Sequence, residues 1–299
     1  MKHLSNEHYF YHMSKDNEPK LTVDVGDTVK IDTLDCFTNQ IQDEDYAFDA
    51  LDWDKMNPAT GPIYVNGIQA GDVLKVTIQD IEIGNKGVMV TVPDAGVMGK
   101  YLHEPTIKVL DIKDDTVLFN DIEIPINKMV GVIGVAPKDE AINNGTPDTH
   151  GGNMDSVKVT TGATLYLPVY HDGALFGLGD LHGAMGDGEV SVSGLEVEGS
   201  VTVTLEKAEN VQTEHPILVN DEGIYQFVSH ESLDEAVDQS VQVMIQNILE
   251  PRTTLTLPEL TMLMSLVGQT EINQVVDPLK TARFFVPQYV LDKLNIELK

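Results

Sequence analysis

The stretch Gly177-Leu-Gly-Asp-Leu-His-Gly-Ala-Met-Gly-Asp-Gly-Glu189 constrains this chain more than any other. It holds Asp180, His182, Asp187 and Glu189, spaced by five glycines. A strand-like run (Ala174, Leu175, Phe176) precedes it. A long alternating run follows, through Val190, Val192, Leu195, Val197, Val201, Val203 and Leu205. The polar cluster therefore falls where two apolar strands meet, and glycine there lets another group come close. Three carboxylates and an imidazole on so short a segment repel one another unless a proton or a cation is shared. A divalent metal held through oxygen and nitrogen is the natural candidate. Gly and Asp are also the commonest turn residues, and Asp187-Gly188 is a hairpin signal in its own right. A plain turn with an incidental histidine is the competing reading.

The first two thirds of the chain read as β. Leu21, Val23 and Val25 alternate, Gly26-Asp27 turns, and Val29 and Ile31 alternate again, which predicts a hairpin. A long strand is expected from Val73 through Ile81, others over 87–92 and 164–169, and short strands over 106–124. Val130-Gly-Val-Ile-Gly-Val135 is a continuous apolar run, the mark of a buried strand. After residue 206 the period changes. Leu233, Ala236, Val237, Val241, Met244, Ile245, Ile248 and Leu249 have helical spacing, with Ser232-Leu-Asp-Glu235 as a capping box and Pro251 as a stop. Thr256-Leu-Pro-Glu259 opens a second helix that Gly268 ends. The tail, 273–287 and beyond, reads as a final strand and a short last helix. The expected organisation is a β-rich catalytic region over 1–206 and an α+β part over 207–299 packed on it, the two forming either separate lobes or one continuous domain.

Charge narrows the partners. The chain has 48 acidic and 19 basic residues, a net charge of −29. Nucleic acid and anionic membrane surfaces are excluded, since phosphate binding needs a cationic face. Such acidity favours solubility and concentrates cations. No apolar run approaches the length of a membrane span. The single cysteine, Cys36, allows no intrachain disulfide, and with a polar N-terminus it fits the cytoplasm.

Two further polar loops stand out. Thr33-Leu-Asp-Cys-Phe-Thr-Asn-Gln40 puts Asp35, Cys36, Asn39 and Gln40 at the end of a strand, a common place for site residues. A buried inert thiol is the plainer reading of Cys36. Thr146-Pro-Asp-Thr-His-Gly-Gly-Asn-Met-Asp155 carries Asp148, His150, Asn153 and Asp155, one β segment away from the 177–189 stretch. Between the first two loops, residues 42–60 are acidic around Tyr46, Phe48 and Trp53 and read as a solvated loop or short helix.

Five segments together resemble the acetamidase/formamidase family over nearly the whole length. They are Leu34-Asp-Cys-Phe, Gly61-Pro-Ile-Tyr-Val with Gly71-Asp-Val-Leu, Gly151-Gly-Asn-Met-Asp155, Leu165-Tyr-Leu-Pro-Val, and Gly173-Ala-Leu-Phe followed by Gly179-Asp-Leu-His-Gly-Ala-Met-Gly-Asp-Gly-Glu189. Met185 departs from the pattern, where many relatives are expected to carry Gln. The resemblance implies a mainly β, sandwich-like fold with a helix-bearing C-terminal part. It also implies a homodimer, and hydrolysis of a short-chain amide with release of ammonia.

For that chemistry the expected ligands are His182, Asp180 and Asp35, with Asp155 as a fourth. Zinc suits a His/carboxylate set best, and calcium suits a carboxylate-rich one. Glu189 is the expected general base and acid. Asn153 and Gln40 are expected to hold the substrate amide. A competing mechanism makes Cys36 the nucleophile with Glu189 as its base. A cupin-like metal enzyme and a non-catalytic cation- or carbohydrate-binding β module are the alternatives from other classes; the single histidine at 177–189 speaks against the first.

Overall fold

The computed structural model describes residues 1–298. Two large sheets, of nine and eleven strands, form the frame, with a small two-stranded ribbon beside them. The alternation of Val73–Ile83 places Val76, Ile78 and Ile81 inward, and Gly199–Lys207 answers with Val201, Val203 and Leu205. These two long strands lie side by side in the nine-stranded sheet. Met129–Gly134 is buried along its whole length and lies inside the eleven-stranded sheet, between Phe176–His182 and Gly151–Asn153. One apolar cluster joins the two sheets, with Val76, Ile78, Leu165 and Val203 from one and Ile63, Val130, Ile133, Phe176 and Leu181 from the other. This is sheet-on-sheet packing, in which inward positions of both layers interdigitate.

The nine-stranded sheet continues without a break into the C-terminal part, through Ile217–Val219, Gly223–His230, Lys280–Pro287 and Gln269–Gln274. Helices α1 (Leu233–Val243), α2 (Leu257–Val267) and α3 (Gln288–Leu294) accompany these strands. A second apolar cluster joins them to the sheet, with Met244, Ile248, Leu260, Met264 and Leu291 against Tyr166, Ile224, Phe284 and Val286. Ser232 caps α1 by accepting from Glu235 N–H, and the chain then runs through a wider π turn, Met244–Leu249, before Pro251. Thr256 and Glu259 form both halves of the capping box of α2, and Gly268 is its C-cap. The fold is thus mainly β, with the few helices near the C-terminus.

Four expectations differ from the structure. Leu21–Asp24 and Thr28–Thr33 are strands, yet they do not pair as a hairpin: the first runs parallel to Ala59–Asn66 in the larger sheet, the second pairs with Gly199–Lys207 in the other. Ala174 and Leu175 are not strand; both have left-handed backbones (φ +62° and +56°) that turn the chain into Phe176–His182. The alternating run after Glu189 is not one strand. Val190 is exposed, Val192 has φ +73°, and pairing begins only at Glu196–Val197, in the larger sheet. The chain then crosses at Glu198 into the smaller sheet with Gly199–Lys207. Finally, the tail holds two strands before α3, Gln269–Gln274 and Lys280–Pro287, paired antiparallel.

Candidate active site

The 177–189 stretch was expected to be a loop, but its first half is a strand at the heart of the larger sheet. Asp180 and His182 lie two apart on Phe176–His182, so their side chains share a face. Flanking pairs put Gly131 opposite Asp180, and Met129 opposite His182. On the other side, Glu196 is the cross-strand partner of His182. Asp155 follows Gly151–Asn153, the strand beyond Met129–Gly134. Two glycines make room for this crowding. A Cβ on Gly131 would lie 2.4 Å from Asp155 Oδ1 and 2.6 Å from Asp180 Oδ2, and one on Gly194 would lie 2.6 Å from His182 Nδ1.

The result is a buried polar cluster. His182 Nε2 stands 3.2 Å from Glu196 Oε2, 3.4 Å from Asp180 Oδ1 and 3.8 Å from Asp155 Oδ1. None of these contacts has the alignment of a hydrogen bond, and both imidazole nitrogens, both Asp155 oxygens, Glu189 Oε2 and Glu196 Oε2 are buried without a hydrogen-bond partner. One donor atom each from Asp155, His182 and Glu189 lies within 4.8 Å of the others, and the same holds for Cys36, Asp180 and Glu196. Asp155, Asp180 and Glu189 all have left-handed backbones, with φ of +42°, +56° and +47°. Such conformations cost roughly 1–3 kcal/mol each for non-glycine residues and persist where the surroundings over-determine them, as functional sites do.

The electrostatics have one theme. Burial pushes Asp155 well above the usual carboxylate range, and Glu189 and Asp180 add to it. Burial likewise raises Glu189, with His182 pulling the other way, and lifts Glu196 to about 7. Burial alone would depress His182, but the carboxylates of Glu196 and Asp180 outweigh it and raise the imidazole well above its ordinary value. One imidazole does not balance this many buried acids. A divalent cation is the group that would, and the donors fit it: carboxylate oxygens and an imidazole nitrogen, buried, converging and unbonded to one another.

The other expected residues have distinct settings. Asp35 is buried beside the cluster. Burial pushes it up to about 6, while the Asn39 backbone N–H, 2.6 Å from Oδ1, pulls it down. Cys36 is buried, and its thiol is pushed up by burial and by Glu196, Asp180 and Asp35. Asn153 donates from Nδ2 to Asp277 Oδ2 at 3.0 Å, and its Oδ1 is buried without a partner. Gln40 faces its own loop: Nε2 donates to Phe37 O at 2.8 Å, and Oε1 accepts from Asp52 N–H at 3.0 Å. Its amide braces residues 37–52. Asp187 pairs with Arg283 rather than with the cluster's histidine. His150 is buried, with neither ring nitrogen bonded. Met185 lines an apolar recess with Met89, Val117, Phe119 and Leu195, and Asn127 holds its backbone at both N–H and C=O.

Two site residues escaped the sequence reading. Glu196 sits in an alternating run, where an acid reads as solvent-facing. Leu195, Val197 and Glu198 repeat the ordinary alternation around it, so nothing in the sequence sets Glu196 apart. Asp277 lies in the connection between the last two strands; burial raises it well above the carboxylate range, helped by Asp155 and Asp180. It lies 124 residues beyond Asn153, the residue it bonds, and nothing local marks it.

The comparisons bear on this geometry. The model of the acetamidase/formamidase family matches residues 2–147 and 138–245. A recombinant predicted acetamidase/formamidase from the thermophile Thermoanaerobacter tengcongensis is 45% identical, with 99% of each chain covered and a TM-score of 0.97. An acetamidase from Bacillus halodurans is 43% identical over 98% of this chain and 100% of its own, with a TM-score of 0.96. A formamidase from Methylophilus methylotrophus is 24% identical over 241 residues, 60% of this chain and 58% of its own. The chain spans 60% and 58% of the length of the first curated relatives it matches. Family model and structural likeness agree over residues 2–245, the structural likeness extends over the remaining C-terminal part, and the chain belongs to the acetamidase/formamidase family.

Proposed function

We propose that this protein is an amidase that hydrolyses a short linear amide, of the formamide or acetamide class, to a carboxylate and ammonia, with a divalent cation held by Asp155, Asp180 and His182. The observation that carries the reading is the convergence of these buried donors around Gly131 and Glu196, with both Asp155 oxygens and both His182 nitrogens lacking any hydrogen-bond partner. The substrate class is supported by the names of its relatives, formamidase and acetamidase among them. Bound there, a zinc ion, or calcium as second choice, supplies Lewis acidity that polarises the amide carbonyl and acidifies a water.

The chain's own groups divide the remaining work. Glu196 Oε2 faces the same His182 Nε2 that Asp155 and Asp180 approach, so it adds a further carboxylate on the cation's side of the ring. Glu189, whose Oε2 is buried and unpartnered, takes the proton from the attacking water and returns it to the departing nitrogen. Asn153 Oδ1 accepts an N–H of the substrate amide, its Nδ2 being held by Asp277. Burial of the cluster excludes bulk water and strengthens each of these interactions. A Cys36 nucleophile is disfavoured, because the thiol faces Glu196, Asp180 and Asp35, which oppose thiolate formation.

The test pairs metal analysis with ammonia release from formamide and acetamide, before and after chelation. Turnover is expected to vanish with the metal and return with added zinc, and Cys36→Ala is expected to keep it within about twofold, since losing an inert thiol removes packing alone. Full turnover after complete metal removal would sink the reading. A homodimer in the cytoplasm completes the proposal. Exposed Val97, Met98, Tyr101 and Val190 offer it an apolar surface, and sedimentation tests the dimer directly.

A further inference from the structure

Arg283 is the largest fully buried side chain among the described residues, and it lies on Lys280–Pro287, a strand of the other sheet from His182. Its Nε donates to Glu271 Oε2 at 2.6 Å. Its Nη1 donates to Asn273 Oδ1 at 2.6 Å and to Asp187 Oδ1 at 3.0 Å, and Nη2 donates to Asp187 Oδ2 at 2.6 Å. The grip on Asp187 is bidentate, the strongest and most directional form of this pair. Asn273 extends the linkage. Its Nδ2 donates to Met154 O at 3.0 Å, next to Asp155, and its own carbonyl accepts from Gly188 N–H at 2.7 Å, next to Glu189. Val275 N–H returns a bond to Gly188 O at 3.2 Å. The register shift between Ile272 and Gln274 is the bulge that carries Asn273.

From this linkage we infer that Arg283 is a positioning residue for the amidase site, acting through Asp187 and Asn273 to hold Glu189 and Asp155 in their left-handed conformations. The inference rests on the proposed hydrolase reading for its consequence in turnover, though not for its consequence in structure. Both Asp155 and Glu189 have backbones that ordinary side chains disfavour, so something must hold them. Each sits beside a residue that Asn273 bonds, and Asn273 and Asp187 both take their orientation from one guanidinium. Arg283 does not itself face substrate, because all three of its nitrogens already donate within this set. Lysine cannot replace it, having no planar fork.

Asp187→Ala is the gentler test, since Asp187 is 41% exposed and its loss leaves the buried guanidinium with Glu271 and Asn273. In Asp187→Ala and Arg283→Lys, amide hydrogen exchange is expected to rise in segments 186–189 and 153–155 and to stay unchanged in Val73–Ile83. Affinity for cobalt, followed by its visible absorption, is expected to fall about 10–100-fold, the usual consequence of losing an outer partner of a metal site. With formamide or acetamide, kcat is expected to fall by a similar factor while KM stays within about twofold. The double variant is expected to be no worse than Arg283→Lys alone, because the two residues act as one unit. Wild-type exchange, cobalt affinity and kcat in Asp187→Ala would overturn the inference. A wild-type protein that releases no ammonia would instead overturn the hydrolase reading, and the exchange and cobalt results would still decide the role of Arg283.

Discussion

Gly131 shows how much of this site depends on an atom that the sequence omits. Its missing Cβ is the space in which Asp155 and Asp180 approach each other. In Gly131→Ala the methyl would displace both carboxylates, because neither has a free direction inside a buried cluster. Metal content and turnover are each expected to fall at least about tenfold, by the scale on which metal sites lose affinity when their ligands are misdirected. Far-ultraviolet circular dichroism is expected to stay at wild type, since the strand around Gly131 keeps its ladder partners on both sides. Unchanged metal content would show that Asp155 and Asp180 do not share a cation. Gly194, whose Cβ would press on the His182 ring, makes the same argument from the opposite wall.

At the scale of elements, the best-read pieces are those whose signal is local. The capping box of α2 was legible from Thr256-Leu-Pro-Glu259, and both reciprocal bonds form: Thr256 N–H to Glu259 Oε2 at 2.8 Å and Glu259 N–H to Thr256 Oγ1 at 3.4 Å. Thr256→Val removes the cap and is expected to cost about 1 kcal/mol of stability. Turnover is expected to stay at wild type, because α2 packs in the second apolar cluster, away from His182. A thermal melt and an ammonia assay on one preparation check both halves. Val73–Ile83 and Met129–Gly134 were legible for the same local reason, alternation in one and continuous apolarity in the other. What was not legible depends on which sheet a strand joins. Leu21–Asp24 and Thr28–Thr33 look like a hairpin, yet they pair with strands in different sheets, a choice made by distant partners. The site divides in the same way. Asp35 and Cys36 were visible at the end of a strand, and Asn153, Asp155, Asp180, His182 and Glu189 as polar residues among glycines, whereas Glu196 and Asp277 enter through cross-strand pairing and through the last pair of strands. Gln40 was read for its chemistry alone, and its loop uses that chemistry locally.

At the scale of the whole molecule, stability against pH is set by buried groups that titrate differently once the chain unfolds. His150 is the clearest, because it lies in a turn before Gly151–Asn153 with no partner on either nitrogen, and burial depresses it to about 4. In the unfolded chain it returns to about 6.5. Between those values the unfolded state binds a proton that the folded state refuses, so stability rises with pH. The contribution is therefore fully present above about pH 6.5 and is lost as pH falls through the window toward 4. Asp35 and Glu196 act in the opposite sense: raised to about 6 and about 7, they hold protons in the folded state that the unfolded chain releases. The wild-type curve is the net of both, and comparison with His150→Leu isolates the histidine. Denaturant melts with chelator present throughout keep metal-linked proton release out of the comparison. Across pH 4–6.5 the wild type is expected to lose stability on acidification faster than the variant, by up to about 1.4 kcal/mol per pH unit, the value of one proton. Above pH 7 the two curves are expected to run parallel, their offset set by packing of the leucine. Parallel curves through the whole range would mean that His150 takes up its proton alike in the folded and unfolded chain, and would overturn this account.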